Sequence, residues 1–128
     1  MSVPAAARPP LARRALAELT GTGLLVSVVV GSGIMAVRLS PGDVGLELLE
    51  NSLATVAGLA VIIAVLAPVS GAHLNPVVSA VDWALGRRSG AGLPGRDAAV
   101  YVAAQVVGAV GCGTSAADIR AMTAGSTR

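Results

Sequence analysis

Residues 70–80 read SGAHLNPVVSA, and they set His73, Asn75 and Pro76 between two strongly apolar runs. Proline has no backbone N–H and breaks a helix interior, but it suits the first helical position, and asparagine before it is a favoured N-cap. The pattern therefore predicts a helix that starts at Pro76, runs through PVVSAVDWAL over residues 76–85 and stops at Gly86. Ten residues at 1.5 Å each give ~15 Å, about half of a bilayer core. The residues alone leave two readings open. One is an ordinary Asn-Pro turn before an amphipathic surface helix; the other is a loop and half-helix that re-enter a membrane. Apolar sequence on both sides favours the second. Non-helical backbone at that depth is tolerated only where it is buried in protein or lines a watery cavity.

Composition points the same way. Of 128 residues, 54% are hydrophobic and 12% charged, against roughly 25% charged in a soluble domain. Sixteen glycines fit membrane helices, where glycine is more frequent than in soluble ones. The net charge of +2, from nine arginines and no lysine, is too small and dispersed for a nucleic-acid surface. With one tryptophan, one tyrosine and no phenylalanine there is no base-stacking platform. Cys112 stands alone, which excludes an intrachain disulfide or a cysteine zinc site and leaves it a small apolar filler.

Charges punctuate the chain. Uncharged stretches lie between Glu18 and Arg38, between Glu50 and His73, and between Asp97 and Asp118, each near the 20 residues a membrane helix needs. Expected spans are residues 16–38, 48–70 and 97–115, the last the weakest because it ends in Gly, Ser, Thr and Ala. The lead, residues 1–14, is expected to be disordered; the apolar run after it is longer than a signal peptide's core, and no cleavage site is clear. Arg8, Arg13 and Arg14 precede the first span, and Arg87, Arg88 and Arg96 separate the second from the third. The positive-inside rule then makes the N-terminus cytoplasmic. Gly23, Ser27 and Gly31, and Ala104 and Gly108, recur at helical spacing and predict close helix packing without indicating a function.

A half-helix beginning near mid-membrane turns the positive end of its dipole toward the cavity. There the Asn75 carboxamide can cap the helix through its oxygen and donate through its NH2. The carbonyls of Ser70, Gly71, Ala72 and His73, freed from helix bonding, can form a ladder of acceptors leading to it. Together these make a path for a neutral, hydrogen-bonding molecule.

VSGAHLNPVV, residues 69–78, resembles the first signature of the aquaporin, or major intrinsic protein, family, which usually ends Asn-Pro-Ala-Val. AELTGTGLLVSVVVGSG is similar to that family's first helix and AAVYVAAQVVGA to its third, so the resemblance covers residues 13–111 in order. RLSPGDVGLELLENSLAT more weakly resembles a bacterial branch associated with metalloid (arsenic) resistance. The resemblance implies an all-α membrane protein: one aquaporin-like repeat, residues 15–111, of three transmembrane helices plus a re-entrant half-helix at 76–85. In aquaporin-type pores generally, half-helix dipoles exclude protons and cations.

It further implies a pore lined by Gly71, Ala72, His73, Asn75, Pro76, Val77 and Thr55. Asn75 would donate to the solute, while Val77 departs from the family's small alanine. His73, Glu18 and Gln105 would brace the loop; on the residues alone, Glu18 also reads as a snorkelling interfacial acid and Gln105 as a generic interhelical hydrogen bond. Thr55 takes the place of a bulky aromatic at the outer selectivity filter, which implies a wide, polar constriction. Asp82 is either at the cytoplasmic mouth or simply solvated.

The family fold has two inverted repeats, with a tetramer in its intact members, and the pore lies between the repeats. This sequence has one Asn-Pro motif, and residues 112–128 change character, as truncated or out-of-frame sequence would. Three expectations follow: half of a channel, inactive alone; a half-size channel that pairs with a second half; or a membrane accessory or scaffold subunit without transport. The solute of the channel readings is water, glycerol or a neutral metalloid hydroxide. Expected partners are the lipid bilayer, a small neutral solute and a second channel half or further copies, in the plasma membrane. No cofactor, metal ligand set or catalytic residue is expected, because one histidine and no supported nucleophile–base pair do not make an enzyme.

Overall fold

The computed structural model describes the backbone of residues 8–125 and the side chains of residues 8–113. Within them the protein is four α-helices and no strand: α1 Leu11–Leu39, α2 Val44–Ser70, α3 Pro76–Ser89 and α4 Gly95–Gly125. Two of these, α1 and α2, are long and apolar enough to cross a membrane. α1 packs on both α2 and α4, and α3 packs on α4. Apolar side chains such as Leu53, Val56, Val61 and Val65 of α2 remain exposed, so the fold turns much of its greasy surface outward.

The turns follow from their residues. Ser40–Asp43 closes as a turn in which Asp43 N–H donates to the Ser40 carbonyl at 3.1 Å, with Gly42 at φ 86°. Proline then glycine at the two central positions is the type II pattern, because the second requires positive φ. Asp43 also accepts from Leu46 N–H at 3.0 Å and so caps α2. α2 carries Pro68 in its last turn and ends at Gly71, φ 93°, whose N–H donates to the Ala67 carbonyl.

Several expected boundaries move. α1 begins at Leu11, inside the stretch read as a disordered lead, immediately after Pro9-Pro10. Arg14 holds that start: its Nε donates to the Pro9 carbonyl at 3.1 Å, and its backbone N–H donates to the Pro10 carbonyl. Residues 1–7 of that lead lie outside the described residues. α3 does not stop at Gly86 but runs to Ser89, with Gly90 at φ 72° as its left-handed end. Gly86 serves another purpose, since a Cβ there would collide with the Gly92 backbone. The glycine permits the α3–α4 connection to fold back onto the helix. α4 continues to Gly125, past the expected end at 115, because glycine, serine and alanine weaken an apolar span without breaking a helix. Residues 126–128 of the tail lie outside the described residues.

The small-residue stripe is half used. A Cβ on Gly108 would fall within contact distance of the Leu19 carbonyl oxygen, and one on Gly23 would lie 3.0 Å from Cys112 Sγ and 3.3 Å from the Gly108 carbonyl oxygen. α1 and α4 thus meet backbone to backbone, as small residues permit in membrane helices. Cys112 is half-buried against that crossing. Gly31 has nothing within 4 Å of where its Cβ would be.

Candidate functional site

The chain between α2 and α3 is five residues, three of them with left-handed backbone. Gly71 has φ 93°, Ala72 φ 49° and Leu74 φ 52°. Left-handed geometry costs a non-glycine residue ~1–2 kcal/mol, so something must hold Ala72 and Leu74 there.

The Glu18 carboxyl group does. It comes from the second turn of α1, is 0% exposed, and accepts four hydrogen bonds. Oε1 accepts from Ser70 Oγ at 2.5 Å and His73 N–H at 3.0 Å. Oε2 accepts from Leu74 N–H at 2.7 Å and Gln105 Nε2 at 2.7 Å. Ser70 Oγ in turn accepts from Ala72 N–H at 3.1 Å. The loop N–H groups of Ala72, His73 and Leu74 therefore all point inward to one acid and its serine. Their direction explains why the loop needs positive φ.

A second layer fixes the first. Gln105 Nε2 also donates to Ser79 Oγ at 3.0 Å, and Ser79 Oγ lies 3.1 Å from His73 Nδ1. His73 meets Tyr101 edge to face, ring centroids 5.4 Å apart. The Tyr101 hydroxyl donates to the Ser70 carbonyl at 2.7 Å. Arg14 lies over the Tyr101 ring at 5.8 Å and donates to Asp97 at 2.5 Å. Arg14, Tyr101, Gln105 and Ser79 are all buried, so helices α1, α3 and α4 converge on this one loop.

What remains outward is the other edge of the loop. The carbonyls of Gly71, Ala72 and His73 accept no hydrogen bond from the described residues. The expected ladder thus loses its first rung, because Tyr101 occupies the Ser70 carbonyl. Asn75 is exposed and caps α3 by accepting from Val77 N–H at 2.8 Å, with Pro76 as the first helical residue. Its Nδ2 has no partner among the described residues. Val77 is 66% exposed beside it. Loop and helix start thus present three carbonyls, one carboxamide NH2 and the positive end of α3's dipole, with the hydrogen-bonding edge that would otherwise compete turned into the protein.

A cleft of about 310 Å³ lies behind the loop, bordered by Arg8, Arg14, Ser70, Gly71, His73 and Asp82. Asp82 is exposed, and it also accepts from Leu93 N–H at 2.8 Å and ties down the α3–α4 connection.

Thr55 is not part of this cluster. It is half-buried on α2, where its hydroxyl donates to Asn51 Oδ1 at 3.2 Å while Asn51 Nδ2 donates to the Val29 carbonyl at 3.2 Å. Fifteen helical residues separate it from Ser70, which is ~22 Å along the axis. No group of three or more potential metal-binding side chains occurs among the described residues. The side-chain roles of Ser70, Ser79, Tyr101 and Arg14 at this loop were missed in the sequence. Ser79 had a signal, being one helical turn beyond Asn75 and thus on its side of α3.

The comparisons agree with this architecture. The family model described as Major intrinsic protein matches residues 5–127. The chain is 51% identical over 109 residues to the Aquaglyceroporin AqpS of Rhizobium meliloti (strain 1021), covering 85% of this chain and 44% of that protein. It is 40% identical over 105 residues to the Glycerol uptake facilitator protein of Pseudomonas aeruginosa, covering 82% and 35%. It is 31% identical over 113 residues to the Probable aquaporin AqpM of Archaeoglobus fulgidus, covering 77% and 44%. The chain thus spans less than half the length of these curated relatives. No solved structure matches it significantly. It is an all-α membrane protein, and it belongs to the major intrinsic protein family.

Proposed function

We propose that this chain forms one half of a passive transmembrane channel for water or small neutral solutes, with Gly71, Ala72, His73, Asn75, Pro76 and Val77 along the permeation path. The observation that carries the reading is the inverted loop. Its N–H groups are consumed by Glu18 and Ser70, its carbonyls are left outward, and it ends on the Asn75-capped start of α3. A passing neutral molecule finds acceptors in sequence and then a donor, while the α3 dipole disfavours a cation. Glu18 and Gln105 are positioning residues, and the chemistry is conduction without catalysis. Two relatives named as an aquaglyceroporin and a glycerol uptake facilitator support a solute as large as glycerol, in keeping with Thr55 rather than an aromatic on α2. A neutral metalloid hydroxide has the same hydrogen-bonding character.

Among the described residues, the α3 start and the loop carbonyls face no opposing element. A second half that supplies one completes the pore, and the chain alone is inactive. Arg8, Arg13, Arg14, Arg87, Arg88 and Arg96 on one side of the spans in the sequence, against Arg38, Arg120 and Arg128 on the other, support an inner-membrane protein with its N-terminus in the cytoplasm. The same bias disfavours pairing with an inverted copy, which needs both orientations. Further copies would pack as the family's oligomers do.

Osmotic shrinkage of proteoliposomes tests the reading. The chain alone should shrink no faster under a glycerol or sorbitol gradient than protein-free vesicles. Co-reconstitution with a complementary second half should raise the rate for water, glycerol or both. Solute flux from the chain alone would identify a half-size channel of identical copies. Absence of flux in both preparations would favour the accessory-subunit reading.

A further inference from the structure

Trp83, the chain's single tryptophan, lies at the end of the second turn of α3. Its half-buried ring packs against the buried cluster of Leu93, Ala98 and Tyr101. The indole nitrogen edge faces Gly95, where a Cβ would lie 3.0 Å from Nε1. The Arg87 guanidinium covers the ring, 5.0 Å from its centroid. Arg96 follows Gly95 directly, and Arg88 follows Arg87; all three arginines are exposed. Neighbouring acids do not neutralise them: Asp97 pairs with Arg14, and Asp82 holds the Leu93 N–H. Among the described residues, Arg87, Arg88, Arg96 and the indole N–H make no hydrogen bond or ion pair.

We propose that Trp83, Arg87 and Arg96 form a binding site for the phosphate headgroup of an anionic membrane phospholipid. The cations lie at the end of the bundle where α3 stops and α4 starts, the depth at which a headgroup layer meets a membrane protein. Tryptophan prefers that layer because its ring is apolar and its N–H polar. Arginine offers a planar fork that matches phosphate oxygens, and stacking on Trp83 fixes Arg87's plane before a lipid arrives. A stacked arginine, a second next in sequence to the glycine that the indole edge faces, and no carboxylate ion-paired to either among the described residues make a local site rather than diffuse positive charge. The inference depends on the chain lying in a bilayer and not on its conducting solute.

Trp83 reports on its own site. The full chain is reconstituted in phosphatidylcholine bilayers containing a minor fraction of lipid with brominated acyl chains, and Trp83 fluorescence is read. Brominated phosphatidylglycerol should quench more strongly than brominated phosphatidylcholine, with a relative association of roughly fivefold per arginine engaged at low salt. The R87Q/R96Q variant should bring that ratio to about one, while R38Q, a single charge loss at the far end of α1, should leave it unchanged. Both substituted arginines are exposed, and helicity by circular dichroism confirms that the variants fold. Equal quenching by the two lipids overturns the proposal, as does a loss of preference in R38Q matching that in R87Q/R96Q. Inorganic phosphate that abolishes the preference, where chloride at equal ionic strength does not, would make the ligand free phosphate and also overturn it. Equal effects of the two salts support the lipid.

Discussion

Glu18→Ala is expected to be the most damaging single substitution in the chain. It removes the acceptor of four donors at once: the Ser70 hydroxyl, the half-buried His73 N–H, the buried Leu74 N–H and one N–H of the Gln105 amide, whose other N–H keeps Ser79. A buried donor left without a partner costs ~1–3 kcal/mol. Interhelical hydrogen bonds in membrane proteins average nearer 0.6 kcal/mol, because the unfolded chain in the bilayer also finds partners. Even the lower figure, taken over four donors, exceeds about 2 kcal/mol. Ala72 and Leu74 would also lose what holds them in left-handed geometry. The expected loss is therefore about 2–6 kcal/mol, read from unfolding in mixed detergent micelles. Glu18→Gln should lose less, since its carbonyl oxygen keeps two donors while its NH2 confronts the others. A Glu18→Ala change below about 1 kcal/mol would mean that the loop is held by something other than this acid.

The second large effect concerns Gly108. An alanine there would press its Cβ onto the Leu19 carbonyl oxygen, 3.0 Å from the Leu19 carbonyl carbon and 3.3 Å from Gly23 N. All three are backbone atoms of α1, so no side-chain rotation relieves the clash and the helices must separate. Leu19 neighbours Glu18, and the separation would also pull the acid from Gln105. Gly21→Ala is the control. Its Cβ would meet Leu66 Cδ1 and Leu74 Cδ2, each at 2.5 Å, and both are ends of flexible side chains. Overpacking costs ~1–3 kcal/mol, more where backbone must move. Gly108→Ala should therefore exceed Gly21→Ala by at least about 1 kcal/mol in the same micelle titration. Equal losses, or the reverse order, would show that the α1–α4 crossing tolerates expansion.

The sequence made some of this legible and hid the rest for physical reasons. Asn75-Pro76 announced the α3 start because capping and proline's missing N–H are local effects, readable from two residues. The α3 end was misread because Gly86 carries a stop signal but is used for close passage of Gly92; the true end, Ser89-Gly90, carries the same signal four residues on. Pro9-Pro10 could have placed the α1 start, had the arginines after it not read as a solvated lead. Glu18 and Gln105 are 87 residues apart, and no periodicity links them. Their bracing roles came from family resemblance, and the geometry now supplies the reason. Tyr101 and Ser70 had no such cue, because a tyrosine hydroxyl that reaches a loop carbonyl depends on a tertiary crossing. Asp82 had two readings at the residue level, and neither foresaw its hydrogen bond from Leu93 N–H, which depends on how the α3–α4 connection folds back.

The central claim is that residues 71–76 are the solute-facing turn of a half-channel, and a chimera tests it most directly. Residues 8–113 of this chain replace the matching half of the Rhizobium meliloti aquaglyceroporin, to which the chain is 51% identical over 109 aligned residues. Glycerol-driven re-swelling of proteoliposomes is then followed with Asn75 present and with Asn75→Ala. The chimera should conduct, and Asn75→Ala should conduct at least about tenfold less. Losing the N-cap costs only ~1 kcal/mol of stability, so the folded fraction survives to be measured. A chimera that folds but does not conduct, or one that conducts equally well without the Asn75 carboxamide, would contradict the account.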